Sequence, residues 1–289
     1  MQLSILLTMK KILVPTDFSL NAERAIDYAV RIAKLSQATI YIIHACDHLY
    51  PPDMNNVMAK GDYNKRMTEE AFSNLEILQK SIEETEQVIV NIQLYNGSVT
   101  DTITVAAEEH QVDLIIMGTL GISGLRDKIL GSKTAAVISN STVPVLAIPL
   151  EYEWSTPSKF LLAINHFDEV TDILSPAFDM AMVFNAALRL VVFTDQDNAG
   201  AAGFVSDAKE INFAEEKLRR KYKGLEINAE HLSGRHFEES INDYIGSNKI
   251  DMLVMTTHKR SFIGNIFNRS LTCRMSYHAK VPILAIPVV

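Results

Sequence analysis

Val143-Pro144-Val145-Leu146-Ala147-Ile148-Pro149 returns near the end of the chain as Val281-Pro282-Ile283-Leu284-Ala285-Ile286-Pro287. Two apolar runs with prolines in matching places, separated by the same 138 residues that separate Ser132 from Ser270, mark an internal duplication. The match reaches back to Leu114 in the first copy. The two beginnings align as well, Lys11-Ile12-Leu13-Val14 with Lys159-Phe160-Leu161-Leu162, but at a separation of 148. The first copy therefore has the longer middle. The extra length is expected within Tyr50–Asn64, where Pro51-Pro52-Asp53 and Gly61 read as a loop.

Between those anchors, apolar runs alternate with stretches of helical periodicity. Expected strands in the first copy are Lys11–Thr16, Thr39–Ala45, Val88–Tyr95, Asp113–Met117 and Val143–Pro149. In the second they are Lys159–Asn165, Leu188–Thr194, Leu225–His231, Asp251–Met255 and Pro282–Val288. Continuous Val/Ile/Leu strands alternating with helices indicate parallel sheets covered on both faces. The fold class read from this pattern is α/β, with two tandem doubly wound parallel-sheet domains of five strands each, residues 1–150 and 151–289. Glu151–Ser158 is the join, polar with one Pro and the only Trp of the chain, and it reads as a short linker and not a flexible spacer.

At 289 residues with 47% hydrophobic and 21% charged content, the chain can bury two ordinary cores. A net charge of -8 and a pI near 5.5 argue against a nucleic-acid partner. No run approaches the roughly 18 apolar residues of a membrane span. Cys46 and Cys273 are too few for a disulfide framework, so both read as inert thiols and the cytoplasm as the expected compartment. Met9-Lys10-Lys11 would make a natural start before the first strand, and residues 1–8 are expected to be a loose tail or an artefact of start assignment.

Gly118-x2-Gly121-x9-Gly131-Ser132 follows the strand DLIIM and leads into a helix. Glycines there permit positive φ and let backbone N–H groups approach an anion, to which the helix N-terminus adds partial positive charge. Turn chemistry alone would explain the three glycines equally well. The spacing lacks the Gly-Lys-Ser/Thr of a P-loop and is not GxGxxG. Asp17, in Pro15-Thr16-Asp17-Phe18-Ser19, stands at the carboxyl end of the first strand, the edge where open α/β sheets bind ligands. For a lone Asp after a strand, an Asx-turn or a helix cap is the readier explanation.

The two segments together resemble the universal stress protein family in its ATP-binding form, whose nucleotide loop is G-x2-G-x9-G-(S/T) and whose first strand ends in Pro-Thr-Asp-x-Ser. The resemblance implies an adenine-nucleotide α-hydrolase-like fold. It also implies ATP as ligand, with Mg2+ or Mn2+ arriving on its phosphates. By the same resemblance Thr16 and Asp17 would contact adenosine, and Ala45 would meet adenine through its backbone. Met117 and Gly118 would lie beside the nucleoside, and Gly121, Gly131 and Ser132 would enclose phosphates. Lys133 and Thr134 would extend that contact, although Lys133 reads equally as a surface lysine. Pairing through the last strand implies an intramolecular pseudo-dimer of the two domains, with a homodimer also open. The implied role is that of a stress-response sensor that binds without fast turnover. At most it would show weak ATPase activity or autophosphorylation, at Ser132 or Thr134, because no dedicated acid stands near the phosphates. A nucleotide-free interaction module of the same fold is the alternative. The Ser-Gly-Gly-x-Asp-Ser and His-Ile-Gly-His signatures of related adenylating enzymes are absent.

In the second copy Thr256, Lys259 and Arg269 replace Gly118, Gly121 and Gly131, and Asn165 replaces Asp17. That half is expected not to bind ATP in the family manner. His258, Lys259, Arg260 and Arg269 leave a different anion as the competing reading. The basic run Lys217–Lys223 is assigned no function. His44 and His48 are read as core or loop residues, since their spacing across a strand end does not suit a metal.

Overall fold

The computed structural model describes residues 9–47, 57–119, 131–164, 172–195, 211, 213, 215–258 and 280–288. Its first half runs β1 (Lys11–Pro15), α1 (Leu20–Ser36), β2 (Thr39–Cys46), α2 (Val57–Glu86), β3 (Val90–Asn96), α3 (Val99–His110), β4 (Leu114–Gly118), α4 (Ser132–Asn140) and β5 (Val145–Ile148). The second runs β6 (Lys159–Ile164), a 3-10 turn (Asp172–Leu174), α5 (Ser175–Phe184), β7 (Ala187–Asp195), α6 over 215–221, β8 (Ile227–Gly234), α7 (Phe237–Asn248), β9 (Met252–His258) and β10 (Ile283–Val288). All the strands lie in one sheet, ordered β3-β2-β1-β4-β5-β10-β9-β6-β7-β8. Within each half the pairing is parallel. Across the middle β5 and β10 run antiparallel, with Leu146 opposite Leu284.

Side-chain alternation explains the layering. On β1, Ile12 and Val14 join a cluster that also holds Tyr28 and Ile32 of α1 and Phe178 and Phe184 of α5. Leu13, pointing the other way, meets Ile103 of α3 and Val137 of α4. The first cluster passes from one half to the other without a break, through Leu146, Ile148, Leu284 and Ile286. The join contributes to it. Trp154 packs edge-on against Tyr28 with ring centroids 4.6 Å apart, Phe184 lies at 6.0 Å, and the Arg31 guanidinium sits 4.7 Å over the indole. Burial drives the Tyr28 phenol well above its ordinary pKa, and its hydroxyl has no hydrogen-bond partner among the described residues.

The duplication is visible at the level of single hydrogen bonds. Asp113 Oδ2 accepts from the N–H groups of Lys10 (2.7 Å) and Lys11 (2.9 Å), and Asp251 Oδ2 accepts from those of Ser158 (2.7 Å) and Lys159 (2.9 Å). Lys11 and Lys159 then each donate to the last carbonyl of the neighbouring helix, His110 O and Asn248 O. Helices α1 and α5 end on left-handed Gln37 (φ 56°) and Asn185 (φ 51°), and α3 and α7 on Gln111 (φ 51°) and Lys249 (φ 53°).

The extra length of the first copy lies between β2 and β3, but Gly61 does not mark a loop. It sits inside α2, which is 30 residues long. One glycine with open space around it costs a helix about 1 kcal/mol, which the burial of Ala71, Leu75 and Ile82 on the core face outweighs.

Both outer strands are stoppered where they begin. At β3, Gln79 Nε2 donates to Val90 O (2.5 Å) and Glu83 accepts from Val90 N (3.2 Å). At β8, Arg219 donates to Ile227 O (2.7 Å) and Glu215 accepts from Ala229 N (2.8 Å). Among the described residues no helix is long and apolar enough to cross a membrane.

Candidate functional site

In the first half the strand order reverses between β1 and β4, which opens a crevice beyond their carboxyl ends. Thr16 and Asp17 leave β1 on this edge. Thr16 is buried and its N–H donates to Ile43 O (2.8 Å). Asp17 Oδ1 accepts from Ser19 N (3.1 Å), so the Asx-turn is made, while the cap of α1 falls to Ser19, whose Oγ accepts from Ala22 N (3.2 Å). Phe18 between them is left-handed at φ 59°, with its N–H on Thr16 Oγ1 at 3.0 Å. Ala45 lies half-buried in β2, opposite Tyr95 of β3.

From the other side of the crevice come Met117, which is buried, and Gly118. The reason for glycine here is a close approach rather than positive φ. A Cβ on Gly118 would stand 2.6 Å from Asn21 Cγ and 2.8 Å from Asn21 O, so the end of β4 could not lie against the first turn of α1. Gly131 likewise departs from the expectation of positive φ, at φ −70° and ψ 151°. It caps α4 with no side-chain hydrogen bond, as suits a residue with no side chain. Its N–H donates to Thr119 O (2.5 Å), and Thr134 Oγ1 donates to Gly118 O (2.9 Å). These two bonds hold the first turn of α4 against the end of β4. Ser132 and Lys133 are exposed on that turn and Thr134 is buried beneath it. Gly121 and His48 lie outside the described residues, as do the second-copy positions Asn165, Lys259, Arg260 and Arg269.

Thr16, Asp17, Met117, Gly118, Gly131, Ser132, Lys133 and Thr134 thus sit on one edge of one half of the sheet. Two neighbours went unnoticed in the sequence, and a third was read there only as a core or loop residue. Asn21 fills the space that Gly118 leaves. Thr119, also buried, spans from Ile148 O, to which its N–H donates at 3.0 Å, to Gly131, and its hydroxyl has no partner among the described residues. His44 Nδ1 lies 2.8 Å from Thr16 O. The signal for His44 was its place directly before Ala45. Cys46, one residue beyond Ala45, is a buried free thiol whose pKa burial pushes up, and Cys273 is outside the described residues. Among the described residues no His, Cys, Asp and Glu cluster could hold a metal ion.

The equivalent edge of the second half is built differently. Gly118 pairs with Ile148 and β4 ends there, whereas Thr256, paired with Ile286, is followed by two further paired residues, Thr257 and His258. The strand runs on where its counterpart turns away.

Comparison with known sequences decides the ancestry of this frame. The model of the Universal stress protein family matches twice, over residues 8–149 and 157–287. The chain belongs to the universal stress protein family. Its tandem form has a full-length counterpart in a universal stress protein of Synechocystis, 23% identical over 298 residues that span 96% of this chain and 99% of the relative. A universal stress protein of Methanocaldococcus jannaschii is 30% identical over 153 residues, 48% of this chain and 94% of the relative. Among solved structures, a universal stress protein from Archaeoglobus fulgidus superposes with a TM-score of 0.76 over 96% of this chain and 98% of its own, at 18% identity. That likeness speaks for the universal stress protein fold.

Proposed function

We propose that the N-terminal domain, residues 1–150, binds an adenine nucleotide, with ATP the favoured form, and that the domain spanning 151–289 does not bind it in this manner. The reading makes the protein a cytoplasmic stress-response regulator whose two domains form an intramolecular pseudo-dimer about β5 and β10. It signals through occupancy, without fast turnover. The observation that carries the reading is the first turn of α4. Its N–H groups have no side-chain cap, and it is tied to the carboxyl end of β4 by Gly131 and Thr134, on the same edge of the sheet as the turn that carries Asp17. Unsatisfied N–H groups at a helix start favour phosphate. Ser132 and Thr119 add hydroxyls near that turn, and Lys133 adds an exposed charge. Any Mg2+ or Mn2+ would be held mainly by the phosphates themselves.

Calorimetry with Mg-ATP tests this on wild-type protein and on Gly131→Arg, which introduces the residue found in the second domain. At φ −70° arginine fits the backbone without strain, so the fold is expected to persist and the binding heat to disappear. Equal heats from both proteins, or none from the wild type, would remove the nucleotide reading.

A further inference from the structure

One imidazole holds both neighbours of Asp17. His44 Nδ1 lies 2.8 Å from the Thr16 carbonyl oxygen, and its ring stacks on Phe18 with centroids 4.8 Å apart and planes at 29°. A carbonyl oxygen can only accept, so Nδ1 carries the hydrogen. Phe18 occupies the left-handed region, unfavourable for a bulky residue, and the stack together with its N–H bond to Thr16 Oγ1 keeps it there. Asp17 is therefore suspended between two residues whose positions His44 fixes.

The second half supplies an internal control. Val192 stands in the place of His44 and pairs with Ile164 in the same strand register, buried and with no donor. The fold forms there without an imidazole. The half that has Asn165 in place of Asp17 has also dispensed with the histidine, so the histidine follows the aspartate rather than the sheet.

We infer that His44 is a positioning residue for nucleotide binding, aiming the Asp17 carboxylate by gripping Thr16 and Phe18 without itself touching the nucleotide. The inference rests on the nucleotide reading above. It is tested by Mg-ATP calorimetry on three proteins: wild type, His44→Val, which installs the residue of the twin, and His44→Asn, which keeps an N–H where Nδ1 stands. Loss of one positioning hydrogen bond is expected to weaken binding about 3- to 10-fold in His44→Val, with little change in thermal midpoint. His44→Asn should recover part of the loss, which a mere packing role would not allow. Imidazole nitrogen NMR on nucleotide-free wild type should show the Nδ1–H tautomer. Wild-type binding with equal affinity in His44→Val, or an Nε2–H tautomer with bare Nδ1, overturns the positioning role and leaves the nucleotide reading standing. Absence of binding by wild type removes both. If His44→Val does not fold, its structural role is the larger one and the inference is overturned.

Discussion

Asp113 and Asp251, just before β4 and β9, secure the opening strands of their two halves with the same pair of backbone hydrogen bonds, yet towards the other end of β4 and β9 Gly118 corresponds to Thr256. One end of the sheet has been kept while the other has diverged. The difference teaches that the amino ends of the strands answer to folding, since both copies must start their strands in register. The carboxyl ends are not under that constraint, and there the copies have parted.

The comparison can be broken most forcefully in the core. Phe178 of α5, fully buried and stacked on Tyr222 at 4.1 Å, holds the position that Val30 holds in α1. Phe178→Ala is expected to cost about 3–5 kcal/mol and Val30→Ala about 2 kcal/mol in urea unfolding, because the cavity left by the ring is larger. Equal losses would mean that α1 and α5 are not the equivalent supports they look to be. At the conserved end, Asp113→Ala and Asp251→Ala should each cost about 1–3 kcal/mol and agree with one another. Strongly unequal losses would refute the shared role.

The smallest expected effect concerns the aromatic junction. Tyr28→Phe removes a buried hydroxyl without a described partner, so stability near neutral pH should hold steady or rise by up to about 1 kcal/mol. Because burial raises the Tyr28 pKa, its stabilising contribution is complete below the ordinary tyrosine value of about 10 and is lost as the pH climbs past it. Thermal midpoints measured at about pH 8 and pH 11 should therefore fall less in Tyr28→Phe than in wild type, and an identical fall would show that Tyr28 is not the alkaline liability.

Strands were legible in the sequence because runs such as KILV and DLIIM leave few other ways to bury both faces, and their ends agree within a few residues. The duplication was legible for the same reason. Gly61 misled because a single glycine is a weak signal beside a 30-residue amphipathic helix. The need for glycine at position 118 has a steric reason that the sequence hides, since the contact with Asn21 depends on how α1 lies across β4. The grip of His44 on Thr16 arises from the parallel pairing of β1 and β2, and no local pattern announces it.

The stoppers on β3 and β8 have a consequence for the company this protein keeps. An open strand edge is an invitation to any stray extended chain, and the pairing of β5 with β10 closes the inner edges of the two halves. The starts of the two remaining edges are guarded by the helices on either flank, with an amide and a carboxylate on one side and a guanidinium and a carboxylate on the other. The opening residues of both rim strands are therefore less available to an extended chain than an unguarded edge would be.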